Sequence, residues 1–277
     1  MKKYFLFFFL SLVLVSCGGG NKSVSNKRII TVTIEPLRYF TEQIAGDKFD
    51  VVAMVPKGSN PETYEPTAKQ MVDLSESDLY IKVGNIGFER TWMKRLQANA
   101  PHAIVIDSSE GIDYIIGRHK AKDPHTWMST TNASIIANNI YKILAEVDNK
   151  DSIFFKQNLK NLLTKIQNID TRIRENLTKD KSNAFLVYHP TLSYFARDYG
   201  LKQITIEEEG REPSPASLEK VISIARADNV KTIFTQKEFS DSNIKLVKES
   251  LNSETVEINP LSYHWDKEML KVAEKLR

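Results

Sequence analysis

The 277-residue chain has a single cysteine, Cys17. One cysteine excludes an internal disulfide framework and any cysteine-rich zinc site. Four common signatures are also missing: G-x-G-x-x-G, the Walker A loop, H-E-x-x-H and G-x-S-x-G. Dinucleotide binding, P-loop chemistry, zincin proteolysis and nucleophile-elbow hydrolysis therefore have no motif to rest on. No apolar run reaches the roughly 20 residues that a membrane-spanning helix needs. Excess charge is lacking too. There are 38 Lys and Arg residues against 35 Asp and Glu, a formal charge of +3. Without residues 1–16 the balance is 36 against 35, which gives no electrostatic case for binding nucleic acid.

What remains is the composition of a folded protein, 41% hydrophobic and 26% charged. The length suits two domains of about 100–150 residues each. At the start, Lys2 and Lys3 precede an apolar stretch from Tyr4 to Val15, interrupted only by Ser11. That is the layout of a signal peptide. Leu14-Val15-Ser16-Cys17 resembles a bacterial lipobox, which implies cleavage after residue 16 and lipid attachment at Cys17. Residues 17–27, rich in Gly, Ser, Asn and Lys, read as a flexible tether.

From Arg28 onward, β-rich runs alternate with amphipathic helical patterns. The expected strands are Ile29–Ile34, Phe49–Val55, Leu79–Val83 and Ala103–Asp107, then Ala184–Tyr188, Gln203–Ile206, Lys231–Phe234 and Thr255–Ile258. The first four are rich in Val and Ile, and several of them are continuous apolar runs, as buried parallel strands are. Four strands in each half predict an α/β fold of two lobes with parallel four-stranded sheets, a first lobe over 28–149 and a second over 181–277. Between them, Phe155, Leu159, Leu162, Ile166, Ile169, Ile173 and Leu177 recur at steps of three and four with no Gly or Pro from Asp151 to Lys179. This spacing predicts a long helix over 150–180. Two readings fit it: a helix joining both lobes, which is favoured, or a coiled-coil seam.

Four polar residues follow strands, where ligands of parallel α/β sheets bind. They are Glu62 in Pro61-Glu62-Thr63-Tyr64-Glu65-Pro66, His125 in Asp123-Pro124-His125-Thr126-Trp127, His189 in Tyr188-His189-Pro190 and Asn259 in Ile258-Asn259-Pro260-Leu261. Two lobes facing each other would aim all four into one cleft. Two imidazoles and a carboxylate form a plausible set for Zn²⁺, Mn²⁺ or Fe²⁺. Tyr64 and Glu65 are either supports for that set or solvated turn residues. His102 reads as structural or exposed and His119 as a solvated loop residue, while Glu207-Glu208-Glu209 reads most simply as a solvated acidic turn, with a place near the cleft mouth as the alternative.

At these residues the chain resembles the zinc- or manganese-binding solute-binding proteins of bacterial ABC transporters, the cluster A-I family. The family's Gly-x-x-Pro-His-x-Tyr-Glu-Pro frame is matched by Gly58, Pro61, Tyr64, Glu65 and Pro66, with Glu62 in the His position. Its Asp-Pro-His-x-Trp is matched by Asp123, Pro124, His125 and Trp127. Its aromatic Tyr-Gly-Leu segment is matched by Tyr194, Phe195, Tyr199, Gly200 and Leu201 after His189, and Asn259 stands where Asp is common. Glu212-Pro213-Ser214-Pro215 resembles the opening of a second-lobe helix. The resemblance implies two lobes joined by one rigid helix, a metal clamped in the cleft by Glu62, His125, His189 and Asn259, and no catalysis. It implies a lipid-anchored, extracytoplasmic monomer that delivers zinc, or alternatively manganese or iron, to an ABC permease. The fourth ligand is Asn259, a water or His264. A divalent ion with one carboxylate leaves the ligand shell at about +1, so water or a nearby acidic residue is expected to compensate. The competing readings are an adhesin or interaction lipoprotein without metal, and a zinc hydrolase.

Overall fold

The computed structural model describes residues 27–117, 120–177, 183–207, 210–237 and 241–276. Cys17 and the leader, His119, Glu208, Glu209 and the expected end of the long helix at Lys179 lie outside these residues. In the first lobe, β1 (Arg28–Val32), α1 (Glu35–Ala45), β2 (Phe49–Ala53), α2 (Ala68–Leu74), β3 (Ser77–Lys82), α3 (Gly87–Asn99) and β4 (Ile104–Asp107) alternate. Helix α4 (Thr130–Val147) and a 3₁₀ turn (Asn149–Asp151) lead into α5 (Ser152–Leu177). The second lobe follows with β5 (Ala184–Val187), α6 (Ser193–Tyr199), β6 (Lys202–Thr205), α7 (Pro215–Ala227), β7 (Thr232–Thr235), α8 (Asp241–Leu251), β8 (Glu254–Glu257) and α9 (Trp265–Glu274).

Both sheets are wholly parallel and share one topology, β2-β1-β3-β4 and β6-β5-β7-β8. The expected two-lobe α/β architecture is the observed one. Strand ends differ from the sequence reading by one or two residues, as hydrogen-bonded ends do. The inner strand β5, Ala-Phe-Leu-Val, is buried at every position because helices cover both faces of its sheet.

Local chemistry sets the helix ends. Thr67 and Gln70 form a reciprocal capping box at the start of α2. Ser129 accepts the Asn132 N–H at the start of α4. Ser214 accepts the Ser217 N–H, with Pro215 in the first turn of α7. Helix α6 ends at Gly200, whose φ of 67° is a left-handed C-cap that glycine adopts without strain.

Helix α5 is 26 residues long, about 39 Å at 1.5 Å per residue. Its apolar face, Phe155, Leu159, Leu162, Ile166, Ile169 and Ile173, is buried. Helices α4, α1 and α9 pack against α5 within the same chain, so the coiled-coil alternative falls away: the seam is already occupied.

Helix α9 crosses back to the first lobe. The Trp265 ring lies 4.9 Å from that of Phe40 in α1. Asp266 pairs with Lys165 of α5 at 2.6 Å. Tyr263 donates to Glu42 and sits 4.7 Å beneath the Arg38 guanidinium. The most deeply buried join is a pair of indoles. Trp265 Nε1 donates to the Trp127 carbonyl at 2.7 Å, and Trp127 Nε1 donates to the Pro260 carbonyl at 2.7 Å. Both side chains are 1% exposed, so neither N–H has water as an alternative partner.

Trp265→Phe should therefore destabilise the chain by about 1–3 kcal/mol, since it leaves a buried carbonyl without its donor. Urea unfolding monitored by circular dichroism would measure this, and an unchanged midpoint would contradict the seam's importance.

Candidate metal site

The loops after the strands meet at one cavity of about 40 Å³ between the lobes. It is lined by Glu62 and His125 from the first lobe and by His189 and Asn259 from the second, with Asn60, Trp127, Thr191 and Gln236 among its other walls. Such a volume holds an ion with a water or two. It is far below the roughly 300–1,000 Å³ of pockets that take organic ligands.

Each residue is held by local structure. Glu62 lies in the loop between β2 and α2, where the Asn60 side chain accepts its backbone N–H at 2.9 Å. Glu62 Oε2 accepts the Gly87 N–H at 3.0 Å and Arg90 Nη2 at 3.3 Å, at the start of α3. A Cβ at Gly87 would stand 2.4 Å from that same oxygen and 2.6 Å from the Glu62 carbonyl. Position 87 must therefore be glycine for the loop to dock. Glu62 Oε1 is buried and has no hydrogen-bond partner.

His125 is 7% exposed. Asp123 accepts from its backbone N–H at 2.9 Å and lies 2.8 Å from its Nδ1. Burial alone would raise the Asp123 carboxyl. The hydrogen bonds and charge of His125, helped by the Ser193 hydroxyl, outweigh burial and hold it below the usual aspartate range. His189 lies two residues after β5, and its Nδ1 lies 2.8 Å from Glu207 Oε1. The two imidazoles stand edge to face, with centroids 5.1 Å apart. Carboxylates at both Nδ1 atoms fix the ring orientations and turn Nε2 of each ring to the opposite side, the arrangement that backs metal-ligating histidines in general.

Asn259 follows β8 and is exposed. Its backbone N–H donates to Glu268 Oε1 at 2.7 Å, and its side-chain oxygen accepts the Leu261 N–H at 3.1 Å. Burial pushes the Glu268 carboxyl up, against the Asn259 N–H and Lys271. His264 is exposed, occupies the N-cap position of α9 without a side-chain cap bond, meets the Tyr263 ring edge to face and does not line the cavity.

The structure thus brings Glu62, His125, His189 and Asn259 to one cavity. As they stand, no three His, Cys, Asp or Glu side chains among the described residues converge tightly enough to enclose an ion. The Tyr64 hydroxyl turns to Gln70 at 2.7 Å, and Glu65 is exposed away from the cavity. His102, read as structural or exposed, is exposed.

Glu207 corrects the sequence reading. It is 8% exposed, not solvated, because it turns inward to hold His189. Gln236 was missed. It is 4% exposed and clamps the His189 backbone, with Nε2 donating to the His189 carbonyl at 3.1 Å and to Thr191 Oγ1 at 3.0 Å. Its position just after β7 is the same strand-end signal that marked the other four.

Fold and site together define a solute-binding protein with an ion-sized interlobe cavity. Residues 30–270 match the family ZnuA, the periplasmic zinc-uptake complex component A, and the chain belongs to that family. It is 28% identical over 273 residues to the high-affinity zinc uptake system protein ZnuA of Bacillus subtilis, covering 90% of this chain and 85% of that protein. It is 30% identical over 264 residues to the manganese ABC transporter substrate-binding lipoprotein PsaA of Streptococcus pneumoniae, covering 88% and 84%. A crystal structure of ZnuA superposes with a TM-score of 0.87 at 34% identity, covering 90% of this chain and 98% of that one. The family is one of transporter components, so the hydrolase reading falls away.

Asp123→Asn and Glu207→Gln should each weaken zinc binding by about 10–100-fold, the usual cost of losing a carboxylate behind a ligating histidine. Chelator-competition titration would measure this. Unchanged affinity in both variants would contradict the orienting role.

Proposed function

We propose that this chain captures a divalent transition metal outside the cytoplasm, zinc in preference to manganese or iron, and delivers it to the permease of an ABC importer. The observation that supports this best is the pair of carboxylate-backed histidines from opposite lobes, meeting at a cavity too small for an organic solute. In this reading His125 and His189 ligate through Nε2, Glu62 supplies one oxygen, and Asn259 or a water it holds completes the shell. Asp123 and Glu207, one hydrogen bond behind the imidazoles, supply the negative charge that a +1 shell needs. The metal is cargo and no covalent step is involved. Protons compete for both imidazoles, so affinity falls on acidification.

Metal spanning the lobes should raise the melting temperature by mass action. His125→Ala and His189→Ala should each lose most of this shift and most of the zinc affinity, read by thermal unfolding with and without chelator. A full zinc-dependent shift in both variants would sink the assignment.

We further propose that the mature chain is a monomer anchored through lipid on Cys17. The Leu14-Val15-Ser16-Cys17 lipobox supports this anchor, and among the described residues no helix is long and apolar enough to cross a membrane. Intact-mass measurement of membrane-extracted protein should show a lipidated Cys17, and Cys17→Ala should be soluble. A mature wild-type chain with an unmodified Cys17 would refute the anchor.

A further inference from the structure

This inference rests on the ligand role proposed for Glu62. Both oxygens of a carboxylate can bind one ion, which raises its coordination number and suits oxygen-rich, six-coordinate Mn²⁺, whereas Zn²⁺ prefers four ligands in a tetrahedron. The two oxygens of Glu62 are not equivalent. Oε2 is held by the Gly87 N–H at 3.0 Å and by Arg90 Nη2 at 3.3 Å. The guanidinium is itself fixed, because Arg90 Nη1 donates to the Asn85 carbonyl at 2.5 Å. The absent Cβ at Gly87 lets this contact form. Oε1 is buried with no partner.

We propose that Arg90 is a positioning residue that sets metal selectivity. It keeps Glu62 Oε2 on the first turn of α3, leaves Oε1 as the single oxygen offered to the ion, and so tilts the site toward four-coordinate Zn²⁺ over Mn²⁺. The Arg90 side chain is 56% exposed. Its charge is therefore screened by water, and its effect is geometric. The sequence hides this pair, since 28 residues separate its members. A carboxylate needs such a restraint to ligate through one atom, whereas an imidazole does not.

The test uses the full chain purified without a histidine tag. Chelator-buffered competition would give the Zn²⁺ to Mn²⁺ affinity ratio, and Co²⁺ absorption would report coordination number. Arg90→Gln should lower the ratio by about tenfold, in the range of other residues that support metal ligands. It should also shift Co²⁺ from a strong four-coordinate spectrum toward a weak, higher-coordinate one. Arg90→Lys, which keeps a donor on a different reach, should fall between Arg90→Gln and wild type, and it serves if the glutamine variant fails to fold. An unchanged ratio and spectrum in Arg90→Gln, or in Arg90→Lys where that is the only folded variant, overturns the proposal. Glu62→Ala separates the two levels. If it weakens zinc binding while the Arg90 variants do nothing, only the selectivity role fails. If zinc affinity survives Glu62→Ala, Glu62 is not a ligand and both readings fall.

Discussion

Two buried indole N–H groups must find acceptors without help from water, and both find them across the seam between the lobes. Trp127 reaches the Pro260 carbonyl and Trp265 reaches the Trp127 carbonyl. This constraint positions the site. Trp127 is two residues from His125, and the two rings lie 5.4 Å apart. Pro260 follows Asn259. The segment from Asp123 to Trp127 is further held by the Tyr194 hydroxyl on the Asp123 carbonyl and by Asn132 on the Thr126 carbonyl. The histidine loop is thus part of the lobe junction. Helix α5 runs behind it as a continuous rod, with α9 clamped on by Lys165–Asp266. A junction built from a rigid helix and buried hydrogen bonds resists wide hinge opening. Cargo exchange is therefore expected through small loop movements and a slight tilt of the second lobe.

The carboxylates behind the two histidines also explain how the proposed site could serve a dication. A naked divalent charge in a closed cleft is costly unless nearby groups compensate it. The chain places its carboxylates one step behind the ring nitrogens. Asp123 and Glu207 carry the compensating charge and orient the rings. Glu62, tied by one oxygen to α3, adds a single negative group at the front. In the proposed site two nitrogens and two oxygens would meet the ion, a set of four that suits the tetrahedral preference of zinc.

Much of this was legible in the sequence, for identifiable reasons. Several strands, β5 among them, are continuous apolar runs, and their alternation with helical patterns located the rest to within two residues. The three-four spacing of Phe155 to Ile173 revealed α5, and Ser214-Pro215 revealed the start of α7. The strand-end rule brought Glu62, His125, His189 and Asn259 forward, and it would have found Gln236 had it been applied after β7. Three features were not legible. Glu207 stands at the head of an acidic triplet, and nothing local says that one of three glutamates turns inward. The packing of α9 on α1 depends on where the second lobe brings its last helix, a matter of topology. Arg90 meets Glu62 only because the loop after β2 docks on the first turn of α3, and that contact is invisible until the chain is folded.

The central claim is that one ion is held between the lobes by the two histidines and a single glutamate oxygen. It is tested most directly by anomalous diffraction at the zinc edge from crystals grown with zinc. The account predicts one strong peak in the interlobe cavity, within bonding distance of Nε2 of His125, Nε2 of His189 and one oxygen of Glu62. A peak elsewhere, or one that touches only a single lobe, would contradict it.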